Sequence, residues 1–315
     1  MSVQLGVRPV RRPAPLQRGD RVALISPSSH QGRYPPEYVE DAKKVLTGWG
    51  LRVAEEPMAE KYMYLAGTDA ERALQFERHY TDPQIKALFC TRGGWGAARM
   101  LPLLQPTAIA AAEPKWVVGF SDVTSLFAYL RAQAGVSVLH GPCLAAPSAI
   151  TSPCRAENLE ALHQALFDPA ARPLYAGGWL HRPAGSAAMT GRLVGGCLSV
   201  VVTALGTPWQ VDMRDAILFL EDTGEAPYRI DRMLTHLRTA GMFTHLRGIV
   251  FGHLQKCDGD PPGLLQDVLR DLFRDAPFPV ATGFPCGHGD VNLPLELGAE
   301  YQLAADREAA TLQKC

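Results

Sequence analysis

The feature that most constrains this chain is a pattern repeated through its first half: a short apolar run, a break of small or glycine residues, then a helix. Arg21–Ser26 (RVALIS) ends in Pro27-Ser28-Ser29, Lys86–Thr91 (KALFCT) in Arg92-Gly93-Gly94-Trp95-Gly96, and Lys115–Phe120 (KWVVGF) in Ser121. Leu51–Ala54 and Val136–Leu139 are shorter runs of the same kind. Between them, apolar spacing predicts helices over 38–49, 68–80, 97–104 and 121–133, the second with Asp69 and Glu71 well placed for its first turn. Apolar strands alternating with helices form a parallel sheet covered on both faces. The expectation is an N-terminal parallel-sheet α/β domain over 18–145.

The pattern loosens over 146–187, where Pro147, Pro153, Pro169, Pro173 and Pro183 surround one helix, 156–166. That stretch reads as a linker. A C-terminal mixed α/β domain then spans 188–315. It has helices over 196–205, 227–240 and 264–273, strands over 216–220, 248–251 and 280–282, and a tail from Leu293 that can pair as strands. Residues 1–17 are basic and proline-containing but lack the apolar core of a signal peptide, and read as a flexible lead-in.

The 315 residues, 47% hydrophobic, suffice for two such domains without disulfides or metals. With 31 Lys+Arg against 32 Asp+Glu, a nucleic-acid binder relying on a basic face is not expected. The longest apolar stretch, from Leu193, is shorter than the roughly 18 residues of a membrane span. Seven cysteines lie scattered without a C-x-x-C pair, which suits a reducing compartment, and a cytoplasmic protein is expected. No HExxH or H-x-x-E-H grouping occurs, so neither a metal nor another cofactor is expected.

Four segments could carry chemistry. In Gly119-Phe120-Ser121-Asp122 a buried strand runs into a serine and a helix begins at once. Such a turn thrusts a hydroxyl out of the sheet edge and aims free helix N–H groups at the same spot. The same residues also describe a plain N-cap serine, with Asp122 in the dipole-favoured first turn. Arg92–Gly96 is a glycine loop after a strand: a tight turn, an anion cradle, or a source of oxyanion-stabilising N–H groups. Glu221 follows the buried strand 216–220, where ligands bind in open α/β sheets. His288 stands between glycines in Pro285-Cys286-Gly287-His288-Gly289-Asp290 and can serve a serine as general base.

Taken in order, RGDRVALISPSS, LFCTRGGWGAARMLP, WVVGFSDVTSLF, GRLVGGCLSVV, LFLEDTGEAPYRIDRMLTHL and GFPCGHGDVNLPLELG resemble the LD-carboxypeptidase (muramoyltetrapeptide carboxypeptidase) family of serine peptidases from about Arg18 to Gly298. The resemblance implies Ser121 as nucleophile, His288 as general base and Glu221 as the acid that orients it, in a cleft between two domains. The backbone N–H groups of Gly94 and Asp122 would form the oxyanion hole. Trp95 stands where the family commonly has tyrosine and is a candidate substrate contact. Arg92 and Arg229 are candidates for the substrate carboxylate, with solvated or structural arginines as the plainer reading.

The implied substrate is the tetrapeptide stem of a peptidoglycan fragment, cut between the diamino acid and terminal D-Ala during murein recycling. A small peptide is the expected partner, and a homodimer is left open. Two alternatives compete. One is a relative of the microcin C self-immunity peptidases, which cleave aminoacyl-nucleotide amides; that group carries a longer loop, and this chain is short for it. The other is a non-catalytic two-domain protein that grips an anion at Gly93 and Gly94.

Overall fold

The computed structural model describes residues 9–56, 60–184, 188–306 and 308–315. Five strands of the first half are parallel: β1 (Arg21–Ile25), β2 (Arg52–Val53), β5 (Ile85–Cys90), β6 (Trp116–Gly119) and β7 (Val138–His140). Between β2 and β5 in sequence, β3 (Lys61–Tyr62) and β4 (Leu65–Ala66) form a separate antiparallel pair. The main sheet runs β2-β1-β5-β6-β7-β13, with β13 (Leu295–Leu297) antiparallel to β7. Its two faces are both buried, which is why its strands read as unbroken apolar runs. Leu88 and Val117 face Phe76 and Leu126, while Phe89 and Val118 face Leu46 and Leu162 on the other side.

The second half closes into a barrel. Its strands are β8 (Leu174–His181), β9 (Met189–Cys197), β10 (Ala216–Thr223), β11 (Gly248–Gln255), β12 (Val280–Thr282), β14 (Glu300–Asp306) and β15 (Ala309–Lys314), in the circular order β10-β11-β12-β8-β15-β14-β9. Neighbours among β9 to β12 pair in parallel, and the remaining pairs are antiparallel. Alternation along each strand sorts the side chains. Ile217, Phe219, Val250, Ala281 and Leu303 belong to one apolar cluster, while Leu218, Leu220, Ile249 and Phe251 pack with Leu234 and Leu269 of the covering helices. The first cluster is continuous with the core of the N-terminal sheet through Phe127, Val138 and Leu295. The two halves therefore share a core.

Glycine permits their closest approach. Gly195 and Gly196 at the end of β9 have φ of +121° and +135°. A Cβ on Gly196 would stand 2.6 Å from Thr124 Oγ1. That hydroxyl accepts a 3.1 Å hydrogen bond from the Cys197 N–H. Thr124 opens the helix Thr124–Ala134, so the barrel is anchored at the first turn after Ser121.

Three sequence expectations are corrected. The 146–187 stretch contains the helices Pro147–Ile150 and Arg155–Phe167 and the barrel strand β8. Pro147 sits in the first turn of its helix, where the missing N–H costs nothing, and Pro173 directly precedes β8, while Pro169 follows a helix end. Residues 185–187 lie outside the described residues. The lead-in 1–17 is structured from Pro9 onward as far as it is described: Arg11 donates to the Ala110 and Ala112 carbonyls, and Leu16 is buried. Residues 1–8 lie outside the described residues. Finally, 188–315 is not wholly a second domain, because β13 returns to the first sheet.

Gly196→Ala is expected to lower stability by about 1–3 kcal/mol, since it adds both a left-handed non-glycine residue and a clash at Thr124. Urea unfolding reads this; an unchanged midpoint would contradict the tight seam.

Candidate active site

Ser121 follows β6 and opens a single 3₁₀ turn, Ser121–Val123, that leads into the helix Thr124–Ala134. Its φ is +65°, a left-handed conformation that is strained for a residue with a Cβ. The cap position falls on Phe120, and Ser121 makes no capping hydrogen bond. The N-cap reading therefore fails, and the turn is the sharp strand-to-helix elbow instead. Gly93 makes room for it: a Cβ there would lie 2.8 Å from Ser121 Cβ and 3.0 Å from its Oγ. Asp122 is buried rather than solvated in a first turn. Its Oδ2 accepts from the Ser28 hydroxyl at 2.6 Å and the Ala97 N–H at 2.8 Å, tying the turns after β1 and β5 to the serine turn. Burial pushes its carboxyl up from the ordinary value, against these hydrogen bonds. Gly94, at φ +115°, leaves its N–H without a hydrogen-bond partner among the described residues.

Glu221 lies on β10, one residue farther along than the expected end of the strand, and is fully buried. Its Oε2 accepts from the His288 backbone N–H at 3.1 Å and lies 2.6 Å from His288 Nδ1. His288 rides the loop after β12. Gly287, at φ +99°, lets that loop fold onto the carboxylate, since a Cβ there would fall 2.5 Å from Oε2. Polar side chains fix the loop. Asn292 Oδ1 accepts from the Gly287 N–H at 2.9 Å, Asn158 Oδ1 accepts from the Asn292 N–H at 2.8 Å, and Asn158 Nδ2 donates to the Asp290 carbonyl at 2.8 Å. The Ser152 hydroxyl donates to that same carbonyl at 2.7 Å. The imidazole packs on Phe120 at 4.8 Å between centroids.

Burial alone would raise the Glu221 pKa, but the charge and hydrogen bond of His288, with the His140 imidazole nearby, overcome it and hold the carboxylate well below its ordinary 4.5. Burial alone would lower His288; the Glu221 charge and hydrogen bond outweigh it, so the imidazole titrates above its ordinary 6.5. The pair's contribution to stability follows from the signs. The Glu221 part is present above 4.5 and lost as pH falls through its lowered folded value. The His288 part is present below 6.5 and lost as pH rises through its raised folded value.

Ser121 and His288 line one cavity of about 420 Å³, together with Gly93, Gly94, Arg92 and Tyr34. No hydrogen bond joins the two side chains; such contacts often tighten only around substrate. Arg92 is buried in this wall, stacked over the Tyr34 ring at 4.5 Å and donating to the His30 carbonyl at 3.1 Å, with its Nε unpartnered. Trp95 and Arg229 are not brought to it. The Trp95 side chain is exposed, and its backbone N–H donates to Ser29 Oγ. Arg229 sits on the solvent face of the helix Pro227–Thr239, 3.5 Å from Glu225. Sequence reasoning missed Tyr34, Ser152, Asn158 and Gln255. A signal existed for Asn158: spaced by four from Leu162 and Leu166, it places a polar side chain on the apolar face of its helix.

A strained serine, an imidazole backed by a buried carboxylate and a glycine loop with an unpaired N–H are the parts of a serine-type acyl-transfer site. The comparisons name the family. Residues 22–141 match the LD-carboxypeptidase N-terminal domain and residues 190–303 the LD-carboxypeptidase C-terminal domain. The chain belongs to the LD-carboxypeptidase family and is a peptidase of that family. It is 30% identical over 311 residues to the "Probable murein peptide carboxypeptidase" of Bacillus subtilis, covering 96% of this chain and 94% of the relative. The crystal structure of muramoyltetrapeptide carboxypeptidase from Oxalobacter formigenes superposes with a TM-score of 0.81 at 26% identity, covering 93% of this chain and 98% of that one. The microcin C7 self-immunity protein MccF of Escherichia coli, in complex with glutamyl sulfamoyl guanosine, superposes with a TM-score of 0.84 at 26% identity, covering 96% and 98%. No helix among the described residues is long and apolar enough to cross a membrane.

Replacing Glu221 by Gln removes the charge that holds the His288 proton, so burial should then dominate and bring the imidazole pKa below 6.5. An NMR titration of the His288 ring measures this; a value still above 6.5 would contradict the pairing.

Proposed function

We propose that this chain is a serine-type LD-carboxypeptidase that hydrolyses the bond between the diamino acid and terminal D-Ala of a peptidoglycan tetrapeptide, in murein recycling. The observation that carries the reading is the convergence of Ser121, from the first half, with the Glu221–His288 pair, from the second, on one cavity. In this mechanism His288 Nε2 takes the Ser121 proton as Oγ attacks the scissile carbonyl. Glu221 holds the imidazole through Nδ1, so that Nε2 faces the serine, and stabilises the imidazolium as it forms. The oxyanion is received by the N–H groups of Gly94 and Asp122, at a glycine loop and at the opening of a helix. His288 then protonates the leaving D-Ala amine, and a water activated by the same imidazole releases the acyl group from Ser121.

Arg92 is the group suited to the substrate's terminal carboxylate. It is a buried guanidinium on the wall of the cavity beside Ser121 and has an unsatisfied Nε. Likeness to MccF supports a second substrate class, the aminoacyl-nucleotide amide. The lining favours the peptide. Phe120 already packs on His288 and the Tyr34 ring already carries Arg92, so each aromatic in the wall has less surface left for a nucleobase to stack on.

The direct test is mass spectrometry of a defined LD-tetrapeptide incubated with the purified protein. Loss of D-Ala is expected, with an aminoacyl-sulfamoyl adenosine left intact; the reverse preference would overturn the peptide assignment. Ser121→Ala and His288→Ala should each fold and lose at least about 10⁴-fold in kcat. Either variant near wild-type turnover would remove the triad.

Turnover should fall as pH drops through a value above 6.5, because His288 must be neutral to accept the proton. Arg92→Lys should raise KM about tenfold or more, the scale of one lost charge-assisted hydrogen bond, with a smaller effect on kcat. An unchanged KM would exclude Arg92 from the carboxylate site.

A further inference from the structure

The fully buried Glu221 has two carboxylate oxygens, and only one is spoken for by His288. The other, Oε1, has no hydrogen bond and lies 3.6 Å from Nε2 of His140, which is also fully buried and has no hydrogen-bond partner at either ring nitrogen. His140 ends β7 in the first sheet, whereas Glu221 belongs to the barrel, so this contact crosses the seam between the halves. The imidazole stands edge-on to Phe120 at 6.0 Å and to Phe219 at 5.0 Å. Apolar faces on two sides leave the carboxylate as its polar neighbour. At 3.6 Å the pair is longer than a hydrogen bond, and a small side-chain rotation closes it.

We propose that His140 is a positioning residue, which donates its Nε2–H to Glu221 Oε1 and so fixes the carboxylate against which His288 is aligned. The inference rests on the role assigned to Glu221 and His288 above. Two facing buried atoms with no other partner each stand to recover the cost of an unmade hydrogen bond by pairing. The tautomer follows from the second nitrogen. With Nε2 protonated and the ring neutral, Nδ1 is left as a bare acceptor; protonating it as well would bury an orphan charged N–H between two aromatic rings.

The remaining groups around Glu221 do not offer a substitute donor. Asp222 is turned to the backbone N–H groups of Ser199 and Thr223. Cys197 and Cys286 are buried thiols, which are only weak donors, and Cys197 Sγ already lies 3.4 Å from the Ser199 hydroxyl. His288 occupies Oε2.

A packing role for His140 would be filled by phenylalanine; a donor role would not. The test is nitrogen-15 NMR of the histidine rings in the wild type, His140→Phe and His140→Gln. Without the donor, the Glu221 charge is less shared and His288 holds its proton more tightly. Its pKa is therefore expected to rise in His140→Phe and to stay with the wild type in His140→Gln, which retains an N–H. In the wild type at mildly alkaline pH, the His140 proton should sit on Nε2. On a tetrapeptide that the wild type cleaves, His140→Phe should lose about tenfold in kcat with KM little changed, the scale of outer-layer partners of a reacting group.

A His288 titration in His140→Phe that matches the wild type overturns the proposal, as does a His140 proton on Nδ1. The tautomer decides the matter even if His140→Phe does not fold. Neither NMR reading needs substrate, so both stand apart from the assignment of the peptide bond that is cut.

Discussion

A carboxylate with no solvent access destabilises a fold by several kcal/mol unless it is paired and hydrogen-bonded. Glu221 is such a group, and much of the site's architecture can be traced to how it is satisfied. It lies where the barrel meets the first sheet, with His288 held against one oxygen and His140 facing the other. To bring His288 there, the loop after β12 must fold inward, which requires glycine at 287 and a brace from Asn292 and Asn158. Asn158 belongs to a helix whose Leu162 and Leu166 pack on the first sheet. The histidine loop is thus held by one half of the molecule and pointed by the other.

The same seam sets the serine. Ser121 leaves the carboxyl end of β6 at a left-handed φ, braced by Gly93 on one side and by the Asp122 carboxylate on the other. Strain of this kind persists only where the surroundings over-determine it, and it tends to mark functional positions. Thr124, one turn on, is the residue that the barrel grips through Cys197. The continuous core behind these contacts means that neither half can shift without disturbing the other. A site divided between two halves is then as well fixed as one built on a single sheet.

Much of this was legible in the residues, for reasons that differ by element. The parallel strands were readable because burial on both faces makes them continuous apolar runs, as in KALFCT and KWVVGF. Ser121, Glu221 and His288 each had an ordinary reading alone and stood out together in the order of their motifs. The cap reading of Ser121 failed because a serine between a strand and a helix looks the same at either sign of φ. The return of β13 was not readable, since a three-residue strand leaves almost no local pattern, and barrel closure was not, since it rests on pairings between strands far apart in sequence. The prolines of 146–187 suggested a linker because they interrupt periodicity, yet Pro147 begins a helix and Pro153 lines the cavity. Trp95 and Arg229 followed motif neighbours into the candidate list, but their side chains point elsewhere, a matter of rotamer and helix face rather than of composition.

In the proposed function a peptide bound between the halves presents its scissile carbonyl to Ser121 while its terminal carboxylate meets Arg92. A crystal structure of the Ser121→Ala variant with an LD-tetrapeptide tests this most directly. The carbonyl oxygen should lie within hydrogen-bond reach of the Gly94 and Asp122 N–H groups, His288 Nε2 should face the space left by the serine hydroxyl, and the D-Ala carboxylate should rest on the Arg92 guanidinium. A peptide seated in the cavity with its scissile carbonyl away from residue 121, or with its carboxylate held by some other cation, would contradict it.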